Sequence, residues 1–568
     1  MKVTTYIVSF LKDRGIDTVF ELQGGMITRI IDEIHRIGGI QIVSMHHEQA
    51  AAFAADAYAR IKNKPGIALA TSGPGATNLI TGIGSCYFDS VPAIFITGQV
   101  NINEQKGDKT TRQIGFQETD IVSIVKPITK AAFAIASADE IPAVFENAYR
   151  ISMEGRPGPV LIDIPMNLQN QEISDSAYTT QIVDSPNKTK PQIADYFDEF
   201  TAALKSSNRP LCLAGRGIRA AGVTDAFVQF IEGYNLPVVT SLLAVDVIPF
   251  SHPNRVGFIG TYGNRWANYA LGNCDLLIVL GSRLDLRQTG IDVDTFQENK
   301  RIFHIDIDNA ELNNRVNRCT TLNIDLNDFF IETTEFINIS YRQDHWFKEI
   351  KSKYHSLPDT HELKEIKGIN PNMFLHSLSQ ASHAADAYTT DVGNNQMWSA
   401  QSLEIQLGQH FLSSGGMGAM GYSLPAAIGA AYALKNSPIV CISGDGGFQI
   451  NIQELQTIAR NNLPIKIIIL NNHCLGMIRQ FQDAYFDSCY QSTVWGYNAP
   501  DFEKVAIAYG IGAYSISEPE EIENGLSLLW ANPLSPFLLN VNIDVHTNVY
   551  PKMMFGSPIT KMEPLTDI

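Results

Sequence analysis

Apolar and polar positions along this chain follow two alternating spacings, and these predict strands and helices in succession. Short apolar runs such as Ile67–Thr71, Ala93–Thr97 and Val160–Ile164 have the length and composition of buried strands, and longer amphipathic or alanine-rich stretches separate them. Strands that are apolar on both faces and alternate with helices are typical of parallel sheets covered on both sides. Residues 1–168 therefore predict an α/β domain with a doubly wound parallel sheet.

The same alternation occurs twice more, as expected for a chain of 568 residues, which is too long for one core. The polar stretch from Gln169 to Lys190 predicts a linker, and a second α/β unit follows over residues 191–340. Its predicted strands are Pro210–Ala214, Pro237–Thr240, Leu276–Leu280 and Arg301–Ile305. Charged residues from Gln343 to Lys367 mark the next boundary, before a third unit over residues 368–545. Residues 546–568 predict a tail that is either mobile or folded over a site.

Two predicted strands of the third unit end in residues that can bind ligands. The strand Ile439–Gly444 leads into Asp445 and Gly446, and a second strand ends at Asn471-Asn472, where Asn472 follows Asp445 by 27 residues. A strand–helix–strand crossover can place Asp445 and Asn472 at one carboxyl edge of a sheet, where open α/β sheets bind ligands. A carboxylate and an amide oxygen suit Mg²⁺, and nearby glycines let a diphosphate approach the backbone. An ordinary βαβ turn is the alternative explanation of this segment taken alone.

Composition and charge exclude several classes of function. The net charge of −17 argues against a nucleic-acid partner and an anionic-membrane partner. The N-terminus lacks the pattern of a signal peptide, and no stretch has the length and apolarity of a membrane span. The seven cysteines are scattered without metal-ligand or redox-motif spacing, a pattern typical of reduced thiols. We therefore expect a soluble cytoplasmic protein.

A second group of candidate residues lies near the N-terminus. Glu48 precedes the alanine-rich stretch Ala50–Arg60, which favours a helix and close packing around its start. A carboxylate there could lie in an apolar cleft and share a proton with a heteroaromatic nitrogen. The turn Thr71–Asn78 has glycines on both sides of Pro74, so it can pack against a planar ring or receive an anion. Both features also have structural explanations, as a helix N-terminal charge and as a rigid connection.

Together these features resemble the thiamine diphosphate (ThDP)-dependent 2-oxo-acid decarboxylases and carboligases, and most closely the catalytic subunits of acetolactate synthase. The resemblance covers nearly the whole chain, with motifs in the same order and at matching separations. The segments that carry it are His47–Gln49, Thr71–Asn78, Gly115–Asp120, Gly155–Pro159, Gly281–Arg287, Gly418–Pro425, Gly444–Gly446 and Asn471–Met477. It implies three α/β domains, which bind the pyrimidine of the cofactor, FAD and the diphosphate, respectively.

The resemblance implies ThDP and Mg²⁺ as cofactors and gives roles to residues of the first and third units. Residues implied at the reacting centre are Glu48, Gly25, Phe116, Gln117 and Met420. The implied Mg²⁺ ligands are Asp445, Asn472 and the backbone carbonyl of Cys474. Other implied cofactor contacts are Pro74, Asn78, Gly393, Asn394, Asn395, Gly418, Gly446, Gly447 and Met477. Glu48 would activate the pyrimidine, and Met420, otherwise read as a core residue, would impose a bent cofactor shape.

The middle unit resembles the FAD-binding domain of the same family. The positions implied at the flavin are Arg156, Gly215, Arg216, Gly217, Thr240, Ser241, Gly260, Tyr262, Gly263, Gly281, Arg283, Asp285, Arg287, Asp306 and Asp325. The segment Gly215–Gly217 is not a complete dinucleotide fingerprint, and a purely structural turn is its alternative explanation. Some relatives with this architecture bind an ADP group or no nucleotide, so the expectation of FAD depends on the resemblance alone.

The resemblance also implies a reaction and an assembly. The reaction is decarboxylation of pyruvate and transfer of the hydroxyethyl (acetaldehyde) unit to a carbonyl acceptor. In this family the glutamate acts on cofactor held mainly by another subunit, so we expect a homodimer or homotetramer with sites at the subunit interface. A non-catalytic ThDP- or FAD-binding subunit is a different class of function. The presence of Glu48, Asp445 and Asn472 together argues against that class.

Four pocket positions depart from acetolactate synthase, and they concern the acceptor rather than the donor chemistry. These positions are Met26, Met166, Leu286 and Phe481. Arg287, the candidate for binding the acceptor carboxylate, is present, and a guanidinium suits bidentate carboxylate binding; a surface or FAD contact is its alternative. The leading acceptor is a second pyruvate, which gives 2-acetolactate. The other acceptor is the ketone of a nucleotide-activated deoxysugar, which gives a branched-chain sugar.

Overall fold

Three six-stranded sheets follow one another along the residues that the computed structural model describes, which are 1–179, 194–333 and 344–565. The strands of each sheet are parallel, and the inner strands are buried because helices cover both faces, while edge strands such as Gln41–Ser44 and Ala131–Ala134 are partly exposed. The prediction of three successive α/β domains with parallel sheets is confirmed. No helix within the described ranges has both the length and the apolarity needed to cross a membrane. All seven cysteines lie in these ranges and are free.

The first domain contains the sheet order β2-β1-β3-β4-β6-β5. Its strands are β1 Thr18–Leu22, β2 Gln41–Ser44, β3 Gly66–Ala70, β4 Ala93–Gln99, β5 Ala131–Ala134 and β6 Pro159–Pro165. Its helices are α1 Val3–Asp13, α2 Thr28–Ile37, α3 Glu48–Lys62, α4 Pro74–Asn78, α5 Ile80–Phe88, α6 Ile121–Val125 and α7 Ile141–Met153. The three strands predicted from apolar runs correspond to β3, β4 and β6, because uninterrupted apolar residues suit strands buried on both faces.

The second domain has the sheet order β12-β11-β10-β7-β8-β9. Its strands are β7 Pro210–Ala214, β8 Val238–Thr240, β9 Arg255–Phe258, β10 Leu276–Leu280, β11 Arg301–Asp306 and β12 Cys319–Asn323. Its helices are α8 Ala194–Ser206, α9 Gly217–Ala220, α10 Thr224–Tyr234, α11 Arg265–Asn273, α12 Leu286–Thr289, α13 Val293–Gln297 and α14 Leu326–Thr333. All four predicted strands are present, as β7, β8, β10 and β11.

The third domain has the sheet order β14-β13-β15-β16-β18-β17. Its strands are β13 Ala387–Thr390, β14 His410–Ser413, β15 Ile439–Gly444, β16 Ile465–Asn471, β17 Gly512–Ile516 and β18 Phe537–Asn542, followed by the short antiparallel pair β19 Lys552–Met553 and β20 Met562–Glu563. Helix α15 Asp344–Ser356 precedes this domain in the chain, and the helices of the domain are α16 Pro371–Ala381, α17 Asn394–Ser402, α18 Ser423–Ala433, α19 Asp445–Ile450, α20 Leu455–Asn461, α21 Gly476–Tyr485, α22 Phe502–Ala508 and α23 Ile522–Trp530. Strands β15 and β16 pair in parallel as direct neighbours, as the crossover rule predicts.

Short 3₁₀ helices join several of these elements. They cover Gly25–Ile27, Ile102–Glu104, Lys126–Ile128, Ala138–Glu140, Leu168–Asn170, Asp175–Thr179, Leu242–Ala244, Ile452–Glu454 and Pro519–Glu521. The segment Gly25–Ile27 follows β1 at its carboxyl end, and Ile452–Glu454 connects α19 to α20.

The first and third domains share one hydrophobic core through α3 and α18. Both helices consist largely of small residues, so their backbones approach closely: a Cβ on Gly429 of α18 would lie 2.8 Å from the carbonyl carbon of Ala54 in α3. The buried guanidinium of Arg60 in α3 pairs with Asp56 at 2.7 Å and with Asp89 at 2.9 Å, while the Tyr422 hydroxyl donates to Asp56 at 2.7 Å. The helix that begins with Glu48 is therefore held against the third domain of its own chain.

Two predicted connections require correction. Residues 169–179, assigned to the linker, pack on the first domain, because the Gln169 amide donates to Met26 O at 2.7 Å and Ile173 joins the core; the remainder, 180–190, lies outside the described residues. The predicted charged boundary contains α15, which packs on the second domain because Trp346 is buried and donates to Pro210 O at 3.1 Å. The described part of the expected tail, residues 546–565, also contacts the second domain, since Arg265 donates to Pro564 O at 3.0 Å.

Candidate active site

The carboxyl ends of β15 and β16 bring the three predicted metal ligands together. One end of the Asn472 amide lies 3.1 Å from Asp445 Oδ1 and 2.8 Å from the carbonyl oxygen of Cys474. With nitrogen at that end, the amide donates a hydrogen bond to each oxygen. With oxygen at that end, three oxygens converge and require a cation between them. Neighbouring ligands of octahedral Mg²⁺ lie about 3 Å apart, given bonds of about 2.1 Å, so this donor set fits Mg²⁺.

Tyr497 completes the surroundings of the Asp445 carboxylate. Its hydroxyl donates to Asp445 Oδ2 at 2.9 Å, which leaves Oδ1 facing Asn472. Burial raises the pKa of Asp445 to about 6, although the bond from Tyr497 favours the ionised form. Nowhere in the described ranges do three His, Cys, Asp or Glu side chains form a metal-binding cluster. A cation at Asp445 would therefore take its other protein ligands from neutral oxygens. An anionic ligand such as a diphosphate would supply the remaining negative charge.

A second buried carboxylate, Asp391, organises the loops around this edge. It follows β13 and accepts the backbone N–H groups of Val392, Gly421 and Ser423, each at 2.9 Å. The hydroxyl of Ser423 donates to it at 2.9 Å as well. Burial raises the pKa of Asp391, and these four donors oppose that shift. The residue was not identified from sequence, although its position directly after the strand Ala387–Thr390 and two residues before Gly393 is a usable indication.

The predicted diphosphate glycines lie where side chains would collide with this framework. A Cβ on Gly447 would lie 2.7 Å from Asp391 Cγ, so the first turn of α19 passes directly against the buried carboxylate. Gly393 has a φ of +147°, a conformation that favours glycine, and a Cβ there would lie 2.9 Å from Asn395 Oδ1. The amide of Asn395 donates to Asp391 O at 2.8 Å. Because of these contacts, the backbone at this edge of the sheet has no side chains at Gly393 and Gly447, so a phosphate can approach it closely.

The predicted cofactor residues Asn394 and Met477 lie beside the metal donors, and Gly476 lies between them. A Cβ on Gly476 would lie 2.5 Å from Asn394 Nδ2 and also close to the amide of Asn472. Among the described residues, the buried Oδ1 atom of Asn394 has no hydrogen-bond partner. An orphaned acceptor next to the donor set fits a bound polar group at this position. Met477 follows in α21 and is partly buried.

Met420 reaches the same edge from the loop between β14 and α18. Its Cε atom and the Tyr497 hydroxyl each lie 3.4 Å from the position of a Cβ on Gly446, and Leu475 Cδ2 lies 2.6 Å from that position. Gly418, in the same loop, has a φ of +62° and open space where a side chain would be. Met420 is only partly buried, so it is not a core methionine, and it presents an apolar surface beside the predicted metal site.

The predicted pyrimidine residues lie together in the first domain. Glu48 begins α3 and is 6% exposed, and the Asn78 amide donates to its Oε2 at 2.9 Å. A Cβ on Gly75 would lie 3.2 Å from Glu48 Oε1, so a side chain at this position would crowd that oxygen. Pro74 occupies the first position of α4, where its missing N–H is not needed. The two motifs that the sequence separated, one at Glu48 and one at Thr71–Asn78, form a single cluster.

The remaining reaction-pocket candidates border the same cluster. Gln117 has a φ of +66°, and a Cβ on Gly73 would lie 2.9 Å from its Cβ. Gly25 follows β1, and open space exists where its side chain would be. Phe116 is 80% exposed, so nothing in the described residues covers this ring. The surface around the cluster therefore has room for a ligand or a second subunit.

A cavity of about 400 Å³ lies between the second domain and loops of the other two, within the range of cofactor pockets. Twelve of the predicted flavin residues line it: Arg156, Arg216, Gly217, Ser241, Gly260, Tyr262, Gly281, Arg283, Asp285, Arg287, Asp306 and Asp325. Three do not. Gly215 and Gly263 have no room for side chains because backbone atoms of Gly281 and Gly260 lie against them. Thr240 is buried, and its hydroxyl lacks a partner among the described residues.

The charged groups of this cavity suit a nucleotide. Arg216 donates to Asp89 O at 2.6 Å, and burial lowers its pKa to about 10. Arg156 donates to Ser90 Oγ at 2.8 Å and pairs with Asp308 at 3.0 Å. Burial raises the pKa of Asp306 to about 6. Arginines suit a pyrophosphate and carboxylates at strand ends suit ribose hydroxyls, so the residues present fit a dinucleotide such as FAD.

The positions that depart from acetolactate synthase are spread over the three domains. Met26 packs under β4, where a Cβ on Gly98 would lie 2.5 Å from its carbonyl carbon. The N–H of Met166 donates to Gln99 O at 2.9 Å. Leu286 is 50% exposed and Phe481 is 49% exposed, so neither belongs to a core.

Comparisons with known proteins agree over the length of the chain. Family models match at residues 1–124 (thiamine pyrophosphate enzyme, N-terminal TPP binding domain), 197–332 (central domain) and 391–540 (C-terminal TPP binding domain). The acetolactate synthase isozyme 2 large subunit of Escherichia coli is 35% identical over 99% of both chains. A probable acetolactate synthase large subunit of Methanocaldococcus jannaschii is 37% identical over 96% of this chain and 92% of its own. The acetolactate synthase large subunit of Lactococcus lactis is 34% identical over 97% and 94%, respectively.

Proposed function

Since this chain belongs to the thiamine pyrophosphate enzyme family, we propose that it uses Mg²⁺, decarboxylates pyruvate and transfers the two-carbon unit to a carbonyl acceptor. Membership and the class of ThDP-dependent carboligase follow from the three family models and from the full-length similarity to acetolactate synthase large subunits. The leading acceptor is a second pyruvate, and the product is then 2-acetolactate. The names of the relatives support this choice of substrate.

One observation carries the metal part of the proposal, namely the convergence of Asp445 Oδ1, the Asn472 amide and the Cys474 carbonyl at 2.8 to 3.1 Å. These groups would hold Mg²⁺, and the bare backbone at Gly446 and Gly447 would receive the diphosphate. When bound, thiamine diphosphate would supply a carbon acid that becomes nucleophilic once deprotonated, and a cationic ring that can accept the electron pair released by decarboxylation of a 2-oxo acid.

Glu48 would exchange a proton with the pyrimidine ring through its Oε1 atom. The other oxygen, Oε2, accepts a hydrogen bond from the Asn78 amide at 2.9 Å, and no side chain of residue 75 crowds Oε1, because that residue is glycine. The carboxyl group is buried, so bulk water has little access to it. Met420 would restrict the shape of the bound ligand from the third domain.

A homodimer or homotetramer with shared sites follows the family pattern and belongs to this proposal. The exposure of Phe116 supports it, because an 80% exposed phenylalanine at a predicted reaction pocket is more stable when a second subunit covers it. FAD in the central cavity is likewise a proposal, supported by the arginines and carboxylates that line a cavity of about 400 Å³.

The second candidate acceptor, a nucleotide-activated keto sugar, is favoured by an exposed aromatic group. The ring of Phe481 lies 4.8 Å from that of Tyr485 and 5.6 Å from that of Phe486. Tyr485 lies 6.3 Å from Phe555 of the tail. Phe486 and Phe555 are 54% and 74% exposed. Exposed aromatic rings suit stacking with a base or a sugar face, whereas a second pyruvate needs no such surface.

Product analysis with purified protein, Mg²⁺, ThDP and FAD tests the proposal and separates the acceptors. We expect pyruvate alone to yield CO₂ and 2-acetolactate, and the Glu48→Gln variant to lose at least about 100-fold in rate, in the range of general acid–base contributions. The exposed Glu523→Gln substitution serves as the matched control. A Glu48→Gln protein as fast as the parent contradicts the mechanism. If pyruvate alone is turned over slowly and addition of a keto-sugar nucleotide accelerates its turnover, the keto sugar is the acceptor.

A further inference from the structure

Three side chains of the third domain hold the segment that leads into α3. We call residues 44–49 the entry segment, because it connects β2 to the helix that begins with Glu48. The backbone N–H of His46 donates to Glu454 Oε1 at 2.9 Å. The Arg460 guanidinium donates to Ser44 O. At the other end, the Asn451 amide donates to the side-chain oxygen of Gln49 at 3.2 Å.

Glu454 is a fully buried carboxyl group that the chemistry described above does not use. Its second oxygen accepts the Thr457 hydroxyl at 2.8 Å. Burial raises the pKa of Glu454 to about 7, against the opposing effect of its hydrogen-bond donors. A protonated carboxyl keeps one acceptor oxygen for His46 and can donate to the Thr457 hydroxyl through the other. The contact with the entry segment therefore requires an acceptor at this position and does not require a charge.

Asn451 links the entry segment to the loop that carries Met420. It is 1% exposed, and its amide donates to Gly421 O at 2.8 Å as well as to Gln49. Gly421 follows Met420 directly and its own N–H donates to Asp391 at 2.9 Å. A Cβ on Gly421 would lie 2.9 Å from Asn451 Nδ2, so this approach requires the glycine. One amide group thus contacts both the neighbour of Glu48 and the neighbour of Met420.

We propose that Asn451 and Glu454 are positioning residues for Glu48, which fix the start of α3 from the third domain of the same chain. The inference rests on the proposed function, because it assigns to Glu48 the proton exchange with the cofactor. Neither residue touches reacting atoms, and both act through the backbone and side chain of the entry segment. The cap of α3 depends on the same segment, since His47 Nδ1 accepts the N–H of Gln49 at 3.0 Å.

The expected effect follows from the precision that proton transfer requires. Displacement of a catalytic group by about 1 Å costs on the order of 100-fold in rate. Loss of Glu454 or Asn451 leaves Glu48 attached to Asn78 but frees the backbone in front of it. We therefore expect a slower proton exchange at the cofactor in both variants. Loss of Glu454 should change cofactor affinity little, because its hydrogen bonds go to His46 and Thr457. Loss of Asn451 also removes the bond to Gly421 O, so its proton exchange is compared at saturating cofactor.

The test uses Glu454→Ala and Asn451→Ala in the full-length protein, with Glu454→Gln as the conservative variant. Gln409→Ala is the matched control, because Gln409 is also buried in the third domain and donates to a backbone carbonyl, Ala385 O, at 2.7 Å, remote from the entry segment. The first readout needs no cofactor: amide hydrogen exchange of residues 44–50 by mass spectrometry. The second is the rate at which bound ThDP exchanges its C2 proton with D₂O at saturating cofactor, by NMR after acid quench.

We expect both alanine variants to speed amide exchange in the entry segment and to slow C2 exchange by about 10- to 100-fold. Glu454→Gln should stay within about threefold of the parent, since an amide oxygen can still accept the His46 N–H. Gln409→Ala should leave both readouts unchanged. The proposal would be overturned if both alanine variants exchanged the amides of the entry segment and the C2 proton of ThDP at the same rates as the parent. If Glu454→Ala does not fold, Asn451→Ala decides the outcome with the same two readouts.

Glu48→Gln separates this inference from the proposed function. If Glu48→Gln exchanges the C2 proton at the parent rate, the role of Glu48 is wrong and the positioning role falls with it. If Glu48→Gln is slow while both alanine variants match the parent, the proposed function stands and only the positioning role is refuted.

Discussion

Substitution of Gly447 by alanine tests whether the glycines of the third domain serve close approach rather than flexibility. A Cβ at this position would lie 2.7 Å from Asp391 Cγ, which is about 1 Å short of carbon–carbon van der Waals contact. Asp391 cannot rotate away freely, because it accepts four hydrogen bonds at 2.9 Å. The strain is relieved more easily by displacing the first turn of α19, which carries Asp445.

The size of the effect follows from the cost of overpacking, typically about 1–3 kcal/mol. If the displaced turn is the one that binds Mg²⁺ and the diphosphate, this cost appears as weaker binding, and each 1.4 kcal/mol is about tenfold. We therefore expect the dissociation constant of ThDP at saturating Mg²⁺ to rise about 10- to 100-fold. Gly444→Ala is the matched control: its φ of −84° suits any residue, and its Cβ would lie 3.2 Å from Asn395 Oδ1. We expect that control to stay within about threefold of the parent.

Titration of each protein with ThDP by tryptophan fluorescence or calorimetry gives the dissociation constants. The melting temperature of each cofactor-free protein shows whether the strain lowers the stability of the fold instead of weakening ThDP binding. The reasoning is refuted if Gly447→Ala binds ThDP as tightly as the parent and unfolds at the same temperature. It is also refuted if Gly444→Ala is damaged to the same extent, because the methyl group added there does not meet the Asp391 carboxylate.

Two further predictions concern buried charges. Arg60→Met leaves Asp56 and Asp89 without their buried partner, so we expect a loss of about 3–5 kcal/mol in the free energy of unfolding. Arg318→Met, which breaks an exposed ion pair, should cost under about 1 kcal/mol, and equal shifts in urea unfolding would contradict the assignment. Burial raises the pKa of Asp163 to about 7, so the folded state holds this proton more tightly, and the associated stability falls as pH rises from about 4 to 7. Asp163→Asn should reduce that decline in melting temperature, and an unchanged pH profile would refute the role of the carboxyl.

The sequence by itself determined the features that depend on local order. Apolar runs such as Ile67–Thr71 predict strands because both faces of a parallel sheet are buried, and the alternation with helices predicts three domains. The neighbouring positions of β15 and β16 agree with the tendency of strands joined by a short connection to lie next to each other in a sheet. Hence the sequence alone places Asp445 and Asn472 at one edge of a sheet, since the end of a strand is a position in the sequence as well as in space.

Only the tertiary structure decided what surrounds those residues. Tyr497 reaches Asp445 from an irregular segment without periodicity, and Glu454 reaches His46 across 408 positions of sequence. The same limit explains the overextended linker, because Gln169 looks polar in sequence but is fully buried once its amide meets Met26 O. Hydrogen bonds of this kind join groups brought together by packing of whole domains. Their energy depends on distance and direction in space, and local sequence pattern contains neither.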